Sequence, residues 1–65
     1  MDSIIEKLKK VATDETKFYW EQENAIDIIA CKDNTDAHNT LADIANDAKY
    51  SWVRERALNH LKSNC

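Results

Sequence analysis

Apolar residues recur at helical spacing in four separate stretches of this chain. In the first, Ile4, Ile5, Leu8, Val11 and Ala12 fall at i, i+1, i+4, i+7 and i+8, a single stripe of an amphipathic helix. Ser3-x-x-Glu6 has the spacing of a capping box, and Thr13-Asp14 predicts the end of that helix. The second stretch predicts a helix from about Thr16 to Cys31. Phe18 or Tyr19, Gln22, Ile26 and Ile29 mark one face, and Ala25 and Ile28 carry the apolar surface round the side. A helix apolar on more than one face is expected to be packed from two directions. Lys32-Asp33-Asn34-Thr35-Asp36 predicts a turn, with Asn34 or Thr35 capping a third helix that carries Ala37, Leu41, Ile44, Ala45 and Ala48. After a second turn at Asn46–Tyr50, Ser51 is expected to cap a fourth helix. Its expected buried set is Trp52, Val53, Ala57, His60 and Leu61, with Leu58 to the side, and Ser63-Asn64-Cys65 is expected to fray. The pattern predicts an all-α fold of four helices.

The four helices form two copies of one unit. Lys17 to Ile29 aligns with Lys49 to Leu61 at an offset of 32, pairing Trp20 with Trp52 and Ala25 with Ala57. Upstream, Leu8-x-x-Val11-Ala12-x-Asp14 aligns with Leu41-x-x-Ile44-Ala45-x-Asp47 at an offset of 33. The extra residue falls between Asp14 and Lys17, where a turn absorbs it and a helix would not. A period in this range is a signature of stacked helical repeats. The expected single domain is therefore two antiparallel helix–turn–helix repeats, over about 3–31 and 35–63.

Composition agrees. The chain has 65 residues and no Gly or Pro, so any turn needing positive φ must use Asn, Asp or Lys; 43% of residues are hydrophobic and 32% charged. No apolar run approaches the roughly 20 residues of a spanning helix, and the first residues lack a signal-peptide pattern, so a cytoplasmic protein away from membranes is expected. The net charge of −3 divides evenly between the halves. That weakens an electrostatic case for nucleic acid, although Lys7, Lys9, Lys10 and Lys17 could contact phosphates.

The second unit, Leu41-x-x-Ile44-x-x-Asp47-x-x-x-x-x-Val53-Arg54-x-x-Ala57-x-x-x-Leu61, resembles a HEAT repeat, and Leu8, Val11, Asp14, Ala25 and Ile29 give a diverged copy in the first. The copy departs from the pattern at Glu21-Gln22, where Val-Arg is usual. The resemblance implies an α-solenoid of two stacked hairpins in which Asp47 and Arg54 are structural and hydrogen-bonded. An Arg in a first helical turn opposes the helix dipole, which also favours a carboxylate partner for Arg54. The resemblance further implies a partner-gripping surface on the second helices, at Glu23, Asp27, Glu55, Asn59 and Lys62.

Other constellations bear on chemistry. Trp20 and Trp52 are expected to wedge the start of each second helix into the core. Phe18, Tyr19 and Trp20 are consecutive, so they cannot all face the same way, and at least one is expected outside. Cys31, His38, His60 and Cys65 lack the spacing of a zinc site. Cys31 is expected to be a small buried hydrophobe and Cys65 free, because the compartment inferred is reducing. No phosphate loop, nucleophile elbow or metalloprotease motif occurs, so neither enzyme activity nor a cofactor is expected. The function expected is a protein–protein interaction module. Its partner is another protein, or a second copy docked through Tyr50 and Leu58 at the helix 3–4 end, on the expectation that the polar residues Glu6, Lys7, Lys9 and Lys10 cap the other end. The alternatives are a nucleic-acid-contacting module and a purely structural scaffold.

Overall fold

A computed structural model describes residues 3–63. It contains four helices, α1 (Ser3–Thr13), α2 (Tyr19–Cys31), α3 (Thr35–Asp47) and α4 (Ser51–Ser63), and no strand among those residues. α1 packs mainly on α2, and α3 on α4. The two hairpins then meet through α2 against α4, α2 against α3 and α1 against α3. The core between them is aliphatic. Ile5, Ile26, Ile29, Ile44 and Val53 are fully buried, and Ala12, Ala25, Ala37 and Ala57 fill the close approaches between helices. Burying one such branched side chain contributes about 1.5–3 kcal/mol, so these few residues carry much of the stability of so short a chain.

The helix starts differ in instructive ways. α3 begins as expected: Asn34 is its N-cap, and its side chain accepts from the Ala37 N–H at 2.8 Å. Just before it, Asp33 takes φ 47°, the left-handed turn conformation that a chain without Gly must assign to a residue such as Asp. Ser51 and Ser3 are first helical residues rather than caps. Tyr50 is the residue whose carbonyl accepts from the Arg54 N–H at 3.2 Å, while the position ahead of Ser3 lies outside the described residues, as do Asn64 and Cys65 of the expected fraying tail.

α2 starts at Tyr19, three residues later than its pattern predicts. The reason is Asp14. Its Oδ1 accepts from the Thr16 N–H at 2.9 Å and the Thr16 hydroxyl at 2.7 Å, which closes a local turn that competes with helix. These two bonds hold the Asp14 carboxyl below its ordinary pKa. Phe18 then occupies the cap position without any side-chain cap bond. The resulting connection, residues 14–18, is longer than the one at 48–50, so the extra residue of the first repeat does fall in a turn.

Candidate interaction surface

The aromatic residues cluster where α2 and α4 begin. Phe18 stacks on Trp20 with ring centroids 5.8 Å apart, and Tyr50 stacks on Trp52 at 4.4 Å; both pairs are within 9° of parallel. These are the same two positions in the two repeats, 32 residues apart. Phe18, Tyr19 and Trp20 are all exposed. Trp20 is 51% exposed and Trp52 42%, so neither wedges into the core as expected. The correction follows from helix geometry. Residues two apart on a helix point about 200° apart, and the core side at this level is taken by Gln22 in α2 and Arg54 in α4.

Gln22 explains how the two aromatic pairs are tied. It is buried, yet fully used. Its Nε2 donates to the Asp14 carbonyl at 2.9 Å, and its Oε1 accepts from Trp52 Nε1 at 3.2 Å. One amide thus pins the first turn and also links the hairpins. Arg54, 32 residues on, does the equivalent job in the second hairpin. Its guanidinium donates to the carbonyls of Ala48 at 2.7 Å and Lys49 at 2.9 Å. The carboxylate partner expected for Arg54 is therefore replaced by these carbonyls, and the Asp47 carboxylate accepts from Asn46 Nδ2. Carbonyls just past the end of α3, at the negative end of its dipole, satisfy the cation that a carboxylate was expected to hold.

A second link crosses between α2 and α4 further along. Asp27 accepts from Arg56 through both oxygens, at 2.9 and 2.7 Å, and its Oδ1 lies 2.7 Å from His60 Nε2. The Arg56 hydrogen bond holds the Asp27 carboxyl below its ordinary range, against the opposing effect of partial burial. Arg56 in turn is raised by the same bond. Of the residues expected to face a partner, Asp27 thus sits in the seam between the hairpins, and Glu23 beside it is half-buried. Glu55, Leu58, Asn59 and Lys62 are exposed on α4, and Tyr50 is half-buried under Trp52.

On the opposite side of the seam lies an open cleft of about 250 Å³, lined in part by Lys9, Thr13, Glu15, Asp43, Asp47 and Lys49. Lys9 pairs with Asp43 at 3.6 Å and Lys49 with Glu15 at 2.7 Å. The Glu15 contact raises the Lys49 pKa. Both lysines of the cleft are thus paired across the two hairpins, and Asp47 is the one carboxylate of its lining outside these two ion pairs. It also shows that Lys9 faces the second hairpin rather than capping the outer side of α1.

Two apolar expectations are corrected as well. Ile28 is 50% exposed, and Ile4 is exposed on α1, so the apolar stripes of both first-hairpin helices reach water on one side. Cys31 is not a buried hydrophobe. It is exposed and disulfide-bonded, while Cys65, the other cysteine of the sequence, lies outside the described residues. Among the described residues no group of His, Cys, Asp and Glu is placed to hold a metal, and no helix is long and apolar enough to cross a membrane. Comparison with protein-family models, with curated proteins and with solved structures finds no match to this chain.

Proposed function

We propose that this protein is a small interaction module, an adaptor, inhibitor or regulatory subunit that binds another protein and performs no chemistry itself. The observation that carries this is the set of exposed aromatics Phe18, Tyr19, Trp20 and Trp52, of which Phe18 stacks on Trp20 and Trp52 stacks on the half-buried Tyr50. Exposed aromatic rings held by stacking have the character of interface anchors, since they offer large area and lose little freedom on binding. Trp52 also bonds Gln22 across the hairpins, whereas Phe18, Tyr19 and Trp20 are more than half exposed and lie outside the buried aliphatic core.

The matching use of Gln22 and Arg54 to pin the two turns supports a HEAT-like reading of the two hairpins. The mutual pairing of charges in the cleft supports the absence of catalysis. The pairing of Lys9 with Asp43 weakens the nucleic-acid alternative, because it removes one of its four expected phosphate contacts. The disulfide at Cys31 favours an oxidising compartment over the cytoplasm.

The test is site-specific photo-crosslinking in extract of the cells that make the protein. A benzophenone at position 19 is expected to give a discrete adduct. The same group at position 46, on the exposed side of α3, is expected to give none. Equal labelling from both positions, or none from either, would remove the proposal.

A further inference from the structure

The seam between the hairpins shows how one face of α4 is covered, and α2 has the same face with nothing among the described residues to cover it. On α4, Trp52, Arg56 and His60 form a row at i, i+4 and i+8 that faces α2. Its donors meet acceptors there: Trp52 Nε1 meets Gln22 Oε1, and Arg56 and His60 meet Asp27. The equivalent row on α2, 32 residues earlier, is Trp20, Asn24 and Ile28. It points away from α4, and all three residues are exposed. Among the described residues, neither the Trp20 indole N–H nor the Asn24 amide has a hydrogen-bond partner.

We infer that the Trp20–Asn24–Ile28 face of α2 docks a helix of another protein that presents an acceptor to Trp20 and apolar side chains to Ile28. This inference deepens the proposed binding function and rests on it.

The choice of occupant follows from hydrogen-bond complementarity. Within the chain, the covering surface is the row Gln22, Ile26, Asp27 and Ala30 of α2: acceptors flanked by small or branched apolar residues. The equivalent residues of α4 are Arg54, half-buried and bonded to the Ala48 and Lys49 carbonyls, and the exposed Leu58, Asn59 and Lys62. A second copy stacked head to tail would therefore offer the Trp20 indole N–H no acceptor where the seam has Gln22, because a guanidinium only donates. It would set the Lys62 cation near Ile28. The two contacts that stitch the seam, to Gln22 and to the Asp27 carboxylate, would not be reproduced. A second copy therefore fits the α2 face less well than a helix that carries those acceptors.

The full-length protein, labelled with ¹⁵N, would be titrated with two stapled helical peptides. One displays Gln22, Ile26, Asp27 and Ala30 on a polyalanine–lysine background, and the other displays Arg54, Leu58, Asn59 and Lys62 in the same places. The first is expected to shift the Trp20 indole resonance and to bind at least about ten-fold more tightly than the second. Ile28→Asp, an exposed change that leaves the core intact, is expected to weaken it by a similar factor. Equal affinity of both peptides, or binding of neither, overturns the inference. So does a concentration-dependent shift of Trp20 and Ile28 without peptide, which would make a second copy the occupant. If the peptides fail while crosslinking from position 19 still yields an adduct, only this face is wrong and the interaction function stands.

Discussion

Ile26 and Leu58 occupy the same place in the second helix of each hairpin, 32 residues apart, yet Ile26 is fully buried and Leu58 is 45% exposed. Nothing local separates them. Both are branched aliphatics one residue past a conserved-in-register alanine, Ala25 and Ala57, and both of those alanines are buried. What differs is the neighbour. α2 has α4 beside it, and among the described residues α4 has no helix on its far side. The opposite comparison holds on the other side of the same helices. Trp52 and His60 are used by α2, and their equivalents Trp20 and Ile28 are left to solvent. A repeat position therefore specifies a direction, and the order of the hairpins decides whether that direction holds protein or water.

Substitution at this pair should give the largest contrast. Ile26→Ala removes a fully buried side chain and leaves a cavity, at a cost of about 3 kcal/mol. Leu58→Ala should cost only about 0.5 kcal/mol, because much of its surface is already wet. Urea denaturation of both variants measures the difference directly. Near-equal losses would mean that Leu58 is covered in solution, and would point to self-association through α4.

Gln22 sharpens the comparison at the next level. It is the first hairpin's counterpart of Arg54 but reaches further, serving its own turn and the second hairpin at once. Gln22→Leu keeps the volume, leaves the Asp14 carbonyl with the Lys17 N–H as its donor at 3.1 Å, and strands the Trp52 indole N–H. Because Trp52 is partly exposed and can recruit water, a loss of about 1.5 kcal/mol is expected. The Trp52 indole N–H should also exchange faster in the variant. Unchanged exchange would mean that the Trp52–Gln22 bond does not hold the hairpins together.

Much of this architecture was legible in the chain. Four apolar stripes give four helices in an all-α fold, because spacing at 3.6 residues is a local property. The surface was not legible to the same degree. Trp20 and Trp52 look like core residues by type, yet Trp20 is exposed and Trp52 lies at the edge of the seam, bonded to Gln22 and still 42% exposed. The partner of Arg54 was misjudged because backbone carbonyls at a helix end leave no mark in the sequence. Asp27 read as outward until Arg56 and His60, 29 and 33 residues away, were placed on the adjacent helix. The exposure of Trp20 and the pairing of Asp27 depend on which helix lies alongside, which the period alone does not state.

Asp27 supplies the third contrast, since its repeat equivalent Asn59 has no charge to share. The Asp27 carboxylate and the Arg56 guanidinium are each about a third or more exposed, 34% and 41%, so solvent screens their attraction. Asp27→Asn should cost about 1 kcal/mol near neutral pH. The sign of the pH dependence follows from the lowered pKa of Asp27. Its stabilisation is fully present above the ordinary carboxylate value of 3.8 and is lost as pH falls through the lower folded value. The wild type should therefore lose stability more steeply than the variant below about pH 4. Parallel acid limbs would show that the link contributes nothing in solution. Asn59→Asp, by contrast, should leave stability near neutral pH almost unchanged, because no guanidinium waits beside it.

The smallest effect expected is a gain, and it contrasts the start of α2 with that of α3. Asn34 caps α3 with its side chain, whereas Phe18 stands at the cap of α2 with φ −66° and ψ 153°, a suitable backbone and an unsuitable side chain. Helix formation alone would favour Ser, Asp or Asn there. Phe18→Ser supplies the missing acceptor to the first turn and gives up the exposed stack on Trp20. The first change stabilises by roughly 1 kcal/mol and the second costs roughly 0.5 kcal/mol, so a net gain of about 0.5 kcal/mol is expected. The same variant should lose the crosslink from position 19, because the neighbouring Trp20 is no longer held in place. A more stable protein that binds less would show that Phe18 is kept for its partner and not for its helix. A variant that is less stable and still crosslinks would place Phe18 with the core residues, and leave Tyr19 and the tryptophans to form the contact.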